Sequence, residues 1–169
     1  MNNIILIGMP GAGKSTVGVV LAKKMGYCFV DSDLVIQERT KKLLHEIITE
    51  KGQEGFLEVE NQINASLELE RTVLATGGSA IYGKEAMEHL KKIGTVVYLK
   101  LSHHTIARRL GDLHERGVAL KEGQTLMDLY EERIPYYEKY ADLTVNCEKK
   151  AIRRIVEEIA GRVERLKGD

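Results

Sequence analysis

Ile4-Ile5-Leu6-Ile7-Gly8-Met9-Pro10-Gly11-Ala12-Gly13-Lys14-Ser15-Thr16 stands near the start of the chain. Its first four residues form an uninterrupted apolar run of the kind that fills a buried strand. Gly8 to Ser15 then complete the pattern G-x-x-x-x-G-K-[ST], and residues 16–25 are compatible with a helix. Strand, glycine-rich turn and helix in that order make a phosphate-binding loop, the Walker A arrangement. The glycines let backbone N–H groups close around an anion where side chains would block it. The following helix adds free N–H groups and the positive end of its dipole. In this arrangement Lys14 reaches the β- and γ-phosphates and the Ser15 hydroxyl binds Mg²⁺. A ligand-free glycine turn is the competing reading, and the strand before it and the helix after it argue against that.

Outward from this loop the chain alternates. Further strands are expected at residues 27–30, 72–75, 95–99 and 143–145. Helices are expected at 34–39, 43–50, 56–69, 84–92, 105–110 and 125–137, with a break at 51–53. A last helix is marked by Ile152, Ile155, Val156, Ile159, Val163 and Leu166 at steps of three and four. Five short apolar strands separated by helices make an α/β, three-layer sandwich around a parallel sheet. With 169 residues, no repeat and no linker, the chain is expected to be one domain over residues 1–169.

Bulk properties narrow the function. Lys and Arg total 25, Asp and Glu total 25, and the net charge is zero, which argues against a nucleic-acid binder. No run approaches the roughly 18 apolar residues of a membrane span, and no secretory leader is visible, so a cytoplasmic protein is expected. Cys28 and Cys147 match no zinc or redox spacing and read as buried or half-buried free thiols. His103 and His104 are adjacent, point apart on a helix, and read as surface residues at its start.

Ligands of such sheets gather beyond the carboxyl ends of the strands. Those ends carry residues 8–15, then Asp31 and Asp33, then residues 76–79. In extended chain Asp31 and Asp33 would face the same way, one holding Mg²⁺ through water and the other receiving a proton or hydrogen bond from a hydroxyl. The plainer alternative is a helix N-cap plus a turn aspartate. Gly77 and Gly78 would let backbone approach a small substrate. Residues 111–123 form a polar segment with a glycine at each end, which suits a lid, and carry Arg116, which could close onto a transferring phosphate. A plain surface loop is the alternative there, and a surface ion pair is the alternative for Arg133.

These stretches together resemble the shikimate kinase family, within the nucleoside-monophosphate-kinase-like group of P-loop folds. GMPGAGKSTVG, LAKKMGYCFVDSD, ATGG and ERIPYYEKYAD carry the resemblance, which runs from Ile4 to about Val145. It implies a five-stranded parallel sheet, a lid at about 111–123, a substrate-binding helical region at about 33–62, and ATP-dependent phosphorylation of the shikimate 3-hydroxyl. By resemblance, Gly11, Ala12, Gly13, Lys14, Ser15 and Thr16 bind the nucleotide, and Arg109 lies against the adenine. Ser15 and Asp31 hold Mg²⁺, and Lys14, Asp33 and Arg116 are the catalytic group. Asp33, Leu57, Gly77, Gly78 and Arg133 stand at the acceptor-binding positions, with Arg133 on its carboxylate. ATP and a small metabolite are the implied partners, and a monomer the implied state.

Three positions depart from the family pattern. Where G-E-x-x-F-R-x-x-E is usual, residues 52–60 read GQEGFLEVE, so Leu57 stands at the place of an arginine that forks the carboxylate. Gly77-Gly78-Ser79 replaces a triple glycine, and Arg116-Gly117-Val118-Ala119 replaces Arg-Pro-Leu-Leu. Losing one bidentate arginine costs about 2–3 kcal/mol, roughly 30- to 150-fold in affinity. Two rival readings follow: a kinase for a different hydroxy acid, sugar acid or amino-alcohol, and a catalytically idle nucleotide-binding regulator.

Overall fold

A computed structural model describes residues 2–111 and 120–169. Its five strands are β1 (Asn3–Ile7), β2 (Cys28–Asp31), β3 (Thr72–Ala75), β4 (Gly94–Lys100) and β5 (Leu143–Asn146). They form one parallel sheet in the order β2-β3-β1-β4-β5, with Leu6 opposite Ala75 on one side and Val97 on the other. The helices are α1 (Lys14–Met25), α2 (Ser32–Thr40), α3 (Leu44–Ala65), α4 (Lys84–Ile93), α5 (His103–Leu110), α6 (Leu126–Tyr140) and α7 (Ile152–Gly168).

Burial follows sheet position. Every residue of the central strand β1 is buried, which is why its sequence shows no alternation. The edge strand β5 alternates buried and exposed, and the other edge, β2, is only partly covered. Cys28 accordingly lies exposed on that edge, contrary to the sequence expectation, while Cys147 is buried as expected. The main core joins Ile4–Ile7 and Val96–Leu99 to Val17 and Leu21 of α1, Leu129 and Tyr137 of α6, and Ile159 and Val163 of α7. A smaller core of Ile36, Ile47, Phe56 and Ile63 holds α2 against α3.

Helix boundaries moved where caps decided them. Helix α2 begins at Ser32 rather than Leu34, because the Asp31 side chain accepts from the Asp33 N–H and caps it. Helix α5 begins at His103, because Ser102 accepts from the Thr105 N–H. The break expected at 51–53 narrows to one residue, Gly52, whose φ of 76° leaves the helical region. Helix α3 ends at Ala65 rather than Leu69; Leu67, which extended the apolar periodicity, is a loop residue buried in the main core.

Because β1 leads to β2 on one side of the sheet while β4 lies on the other, the strand order reverses beside β1. That reversal opens a crevice at the carboxyl ends of the strands.

Candidate active site

The crevice is a cavity of about 800 Å³, and most of the residues singled out in the sequence line it. On one side the loop after β1 turns through Gly8, Gly11 and Gly13, with φ values of 152°, 81° and 91°. Side chains rarely adopt the last two, so the Gly-x-Gly spacing is a backbone requirement. Gly13 caps α1 with no side-chain hydrogen bond, which leaves the first N–H groups of the helix for a ligand. Lys14 folds back over the loop, its Nζ donating to Gly8 O at 2.6 Å and Met9 O at 2.8 Å. Burial lowers its pKa to about 8, against the opposing pull of the Asp33 carboxylate.

Ser15 and Thr16 both line the cavity, and the Ser15 hydroxyl donates to Asp31 Oδ2 at 3.0 Å. Asp31 Oδ1 accepts from the Asp33 N–H at 2.9 Å. The two aspartates therefore converge through a helix cap and not through the extended strand geometry expected. The capping alternative holds, and it is compatible with the functional reading. A hydroxyl and a carboxylate oxygen are hard donors of the kind Mg²⁺ takes, and this ion keeps water and phosphate oxygens for its other positions. The donor set fits the ion. Among the described residues no cluster of three or more His, Cys, Asp or Glu could hold a metal by side chains alone.

Asp33 projects from the first turn of α2 toward the glycines after β3. A methyl group built on Gly77 would stand 2.8 Å from Asp33 Oδ1 and 3.0 Å from Glu60 Oε2. One on Gly78 would stand 2.7 Å from Pro10 Cδ and 2.9 Å from Arg133 Nη1. Neither glycine has room for a side chain. Burial first, and the neighbouring Asp31 second, raise the Asp33 pKa, while Lys14 lowers it.

Arg133 is 6% exposed, so the surface ion pair considered from the sequence is not what it makes. Its guanidinium lies over the Tyr82 ring, 5.5 Å from the centroid. Its Nε has no hydrogen-bond partner among the described residues. One turn along α6, Tyr137 donates to Gly78 O at 2.8 Å and ties the helix to the glycine floor.

Four expected site residues stand apart from the cavity lining or differ in kind. Ala12 is 3% exposed and belongs to the core, so only its backbone faces the loop. Arg109 is not part of the cavity lining, though its Nη1 donates to Gly11 O of the loop at 3.1 Å. Leu57 does line the cavity, beside Leu43, Leu44, Ile48 and Phe56, and gives that wall an apolar face. Arg116 lies outside the described residues, as does most of the expected lid; its glycine ends, Gly111 and Gly123, have φ values of 56° and 77°.

Sequence reasoning gave no role to Glu60, Ser79 or Tyr82, all of which line the cavity. Glu60 is 2% exposed, and Ser79 Oγ donates to its Oε1 at 2.7 Å. The available signal was its place on α3: it stands four residues after Phe56 and three before Ile63, both buried, so a carboxylate interrupts an apolar stripe.

The family model for shikimate kinase matches residues 10–164. A shikimate kinase of a Sulfurihydrogenibium species is 37% identical over 166 residues, spanning 98% of this chain and 99% of its own. The shikimate kinase of Thermodesulfovibrio yellowstonii is 36% identical over 169 residues, spanning 98% and 97%. Among solved structures, a shikimate kinase from Acinetobacter baumannii in complex with shikimate matches with a TM-score of 0.88 at 34% identity. That match covers 99% of this chain and 95% of the other.

Proposed function

The chain belongs to the shikimate kinase family, and we propose that its acceptor is shikimate, phosphorylated on a ring hydroxyl in the cavity beyond β1, β2 and β3. It is an ATP-dependent phosphotransferase acting on a hydroxyl group. The observation that carries the acceptor reading is the meeting of Lys14, Asp33, the two close-packed glycines and the buried Arg133 around one cavity.

In this reading the loop N–H groups from Gly11 to Thr16 cradle the phosphates, and Lys14 neutralises charge on the transferring group. Ser15 and Asp31 would hold Mg²⁺, whose contribution is charge neutralisation at the phosphates. Asp33 orients the acceptor hydroxyl and receives its hydrogen bond; burial makes its carboxylate more basic than usual, which suits that task. Gly77 and Gly78 bring backbone against the acceptor, and Arg133 binds its carboxylate. By resemblance Arg116 is assigned to the transferring phosphate and Arg109 to the adenine, with Arg109 Nη1 donating to Gly11 O of the nucleotide loop. We expect a single domain with two small molecules, ATP and the acceptor, as partners, and a monomer as the resemblance implies. Among the described residues no helix is long and apolar enough to cross a membrane. A cytoplasmic setting is expected from the ATP requirement.

A coupled ADP-release assay with Mg-ATP, titrating shikimate to millimolar levels, tests the acceptor. Saturable turnover in the usual kinase range of about 1–100 s⁻¹ supports shikimate. Turnover no higher than the ATPase background removes it. Leu57 on the cavity wall favours a second reading in which another hydroxylated acid is the acceptor. Leu57→Arg separates the two. A large gain in shikimate affinity would mean that the natural pocket is shaped for something else.

A further inference from the structure

Glu60 is the one buried ionisable group of the cavity that the phosphoryl-transfer scheme does not use. Ser79 holds Oε1, but Oε2 has no partner among the described residues and lies 3.0 Å from where a Gly77 side chain would begin. A buried carboxylate oxygen left unpaired carries a desolvation cost of about 1–3 kcal/mol or more, and a ligand donor removes it.

Two of the departures in sequence meet at this carboxyl group. Leu57, one helical turn earlier, supplies no cation, and Ser79, where a glycine is usual in the resemblance, supplies a neutral hydroxyl. Across the glycine pair stands Arg133, whose Nη1 lies 2.9 Å from the corresponding point on Gly78. Consecutive Cα atoms are about 3.8 Å apart, so the arginine and the carboxyl group flank neighbouring positions of the same floor.

We propose that Glu60, anchored by Ser79, is a specificity-determining group that accepts a hydrogen bond through Oε2 from a hydroxyl or ammonium of the acceptor. The site then selects a hydroxy acid with a second donor: its anion on Arg133, its reacting hydroxyl on Asp33, and the further donor on Glu60. This rests on the kinase reading of the same cavity, though not on the acceptor being shikimate. The electrostatics fit the assignment. Burial raises the Glu60 pKa to about 7; Asp33 of α2 raises it further, while the Ser79 hydrogen bond, Arg133 of α6 and Lys14 of α1 lower it. The carboxyl group is therefore ionised above about pH 7, and a donor binds the ionised form better.

The test is steady-state ADP release by wild type, Glu60→Gln and Glu60→Ala between pH 6 and 8.5. The acceptors are shikimate and a matched pair, L-homoserine and 4-hydroxybutyrate, which differ only in an ammonium. For wild type, the acceptor KM is expected to fall as pH rises through about 7, a limb absent from both variants. Glu60→Ala is expected to raise KM at pH 8 about tenfold while kcat changes less than about threefold. If the donor is a hydroxyl, Glu60→Gln keeps shikimate KM within about threefold of wild type, since an amide oxygen still accepts. If it is an ammonium, L-homoserine outperforms 4-hydroxybutyrate and Glu60→Gln loses that preference. Shikimate turnover with a KM indifferent to Glu60 overturns this proposal and leaves the shikimate reading standing. L-homoserine turnover with the stated Glu60 dependence, and none with shikimate, does the reverse. No turnover with any of the three overturns both.

Discussion

The proposed nucleotide half and the proposed acceptor half of the cavity are built on different principles. The nucleotide half is one continuous stretch, Gly8 to Thr16, whose binding groups are mostly backbone N–H set by three positive-φ glycines. The acceptor half is assembled from α2, α3, the turn after β3 and α6, and its groups are mainly side chains set around the Gly77-Gly78 backbone. A backbone cradle tolerates sequence change wherever φ and ψ survive. A cluster of side chains changes character with one residue, and Leu57 and Ser79 are such changes. On the proposed assignment, phosphate handling and acceptor choice are separable in this molecule.

Substitutions on either side should break or sharpen that separation. Lys14→Met removes the loop's only charged group and is expected to lower kcat by about 10³-fold with every acceptor, measured by ADP release. Asp33→Asn should lower transfer by about 10²-fold while nucleotide affinity, read by calorimetry, stays within about twofold of wild type. Equal loss of nucleotide binding would join the two halves and remove the role given to Asp33. Gly78→Ala, whose methyl group meets Pro10 and Arg133, should raise acceptor KM about tenfold with little change in nucleotide KM.

Smaller effects probe the packing beneath. Tyr137→Phe deletes the hydrogen bond to Gly78 O and should cost about 1 kcal/mol in urea unfolding, with a modest rise in acceptor KM. The Glu60 pKa is raised on folding from 4.5 to about 7, so the native state binds its proton more tightly than the unfolded chain does. Its penalty on stability is absent at low pH, develops as pH rises from about 4.5 to 7, and is constant above that. Glu60→Gln should therefore unfold at a higher temperature than wild type at pH 8, the gap closing toward pH 4.5; a gap independent of pH would show that Glu60 is paired in solution.

Much of the sheet was legible because strand burial is written in composition. Residues 4–7 and 96–99 are apolar and buried on both faces, as only interior strands are. Capping chemistry was harder to place. Asp31 was recognised as a candidate cap, yet the start of α2 at Ser32 depended on its side chain reaching back to the Asp33 N–H. Leu67 lengthened a helical period that the chain had already left, since a loop can bury a leucine as well as a helix can. Glu60 escaped notice because its partner, Ser79, is nineteen residues away on another element.

The sequence by itself determined the phosphate loop, the parallel α/β sheet and the family, because each rests on local spacing: glycines for positive φ, a strand before, a helix after. Tertiary structure alone decided that Arg133 is buried rather than paired at the surface, that Ala12 belongs to the core, and that Ser79 anchors Glu60 beside the glycine floor. Those facts depend on which elements pack together, and the energy of a buried charge is set by neighbours distant in sequence.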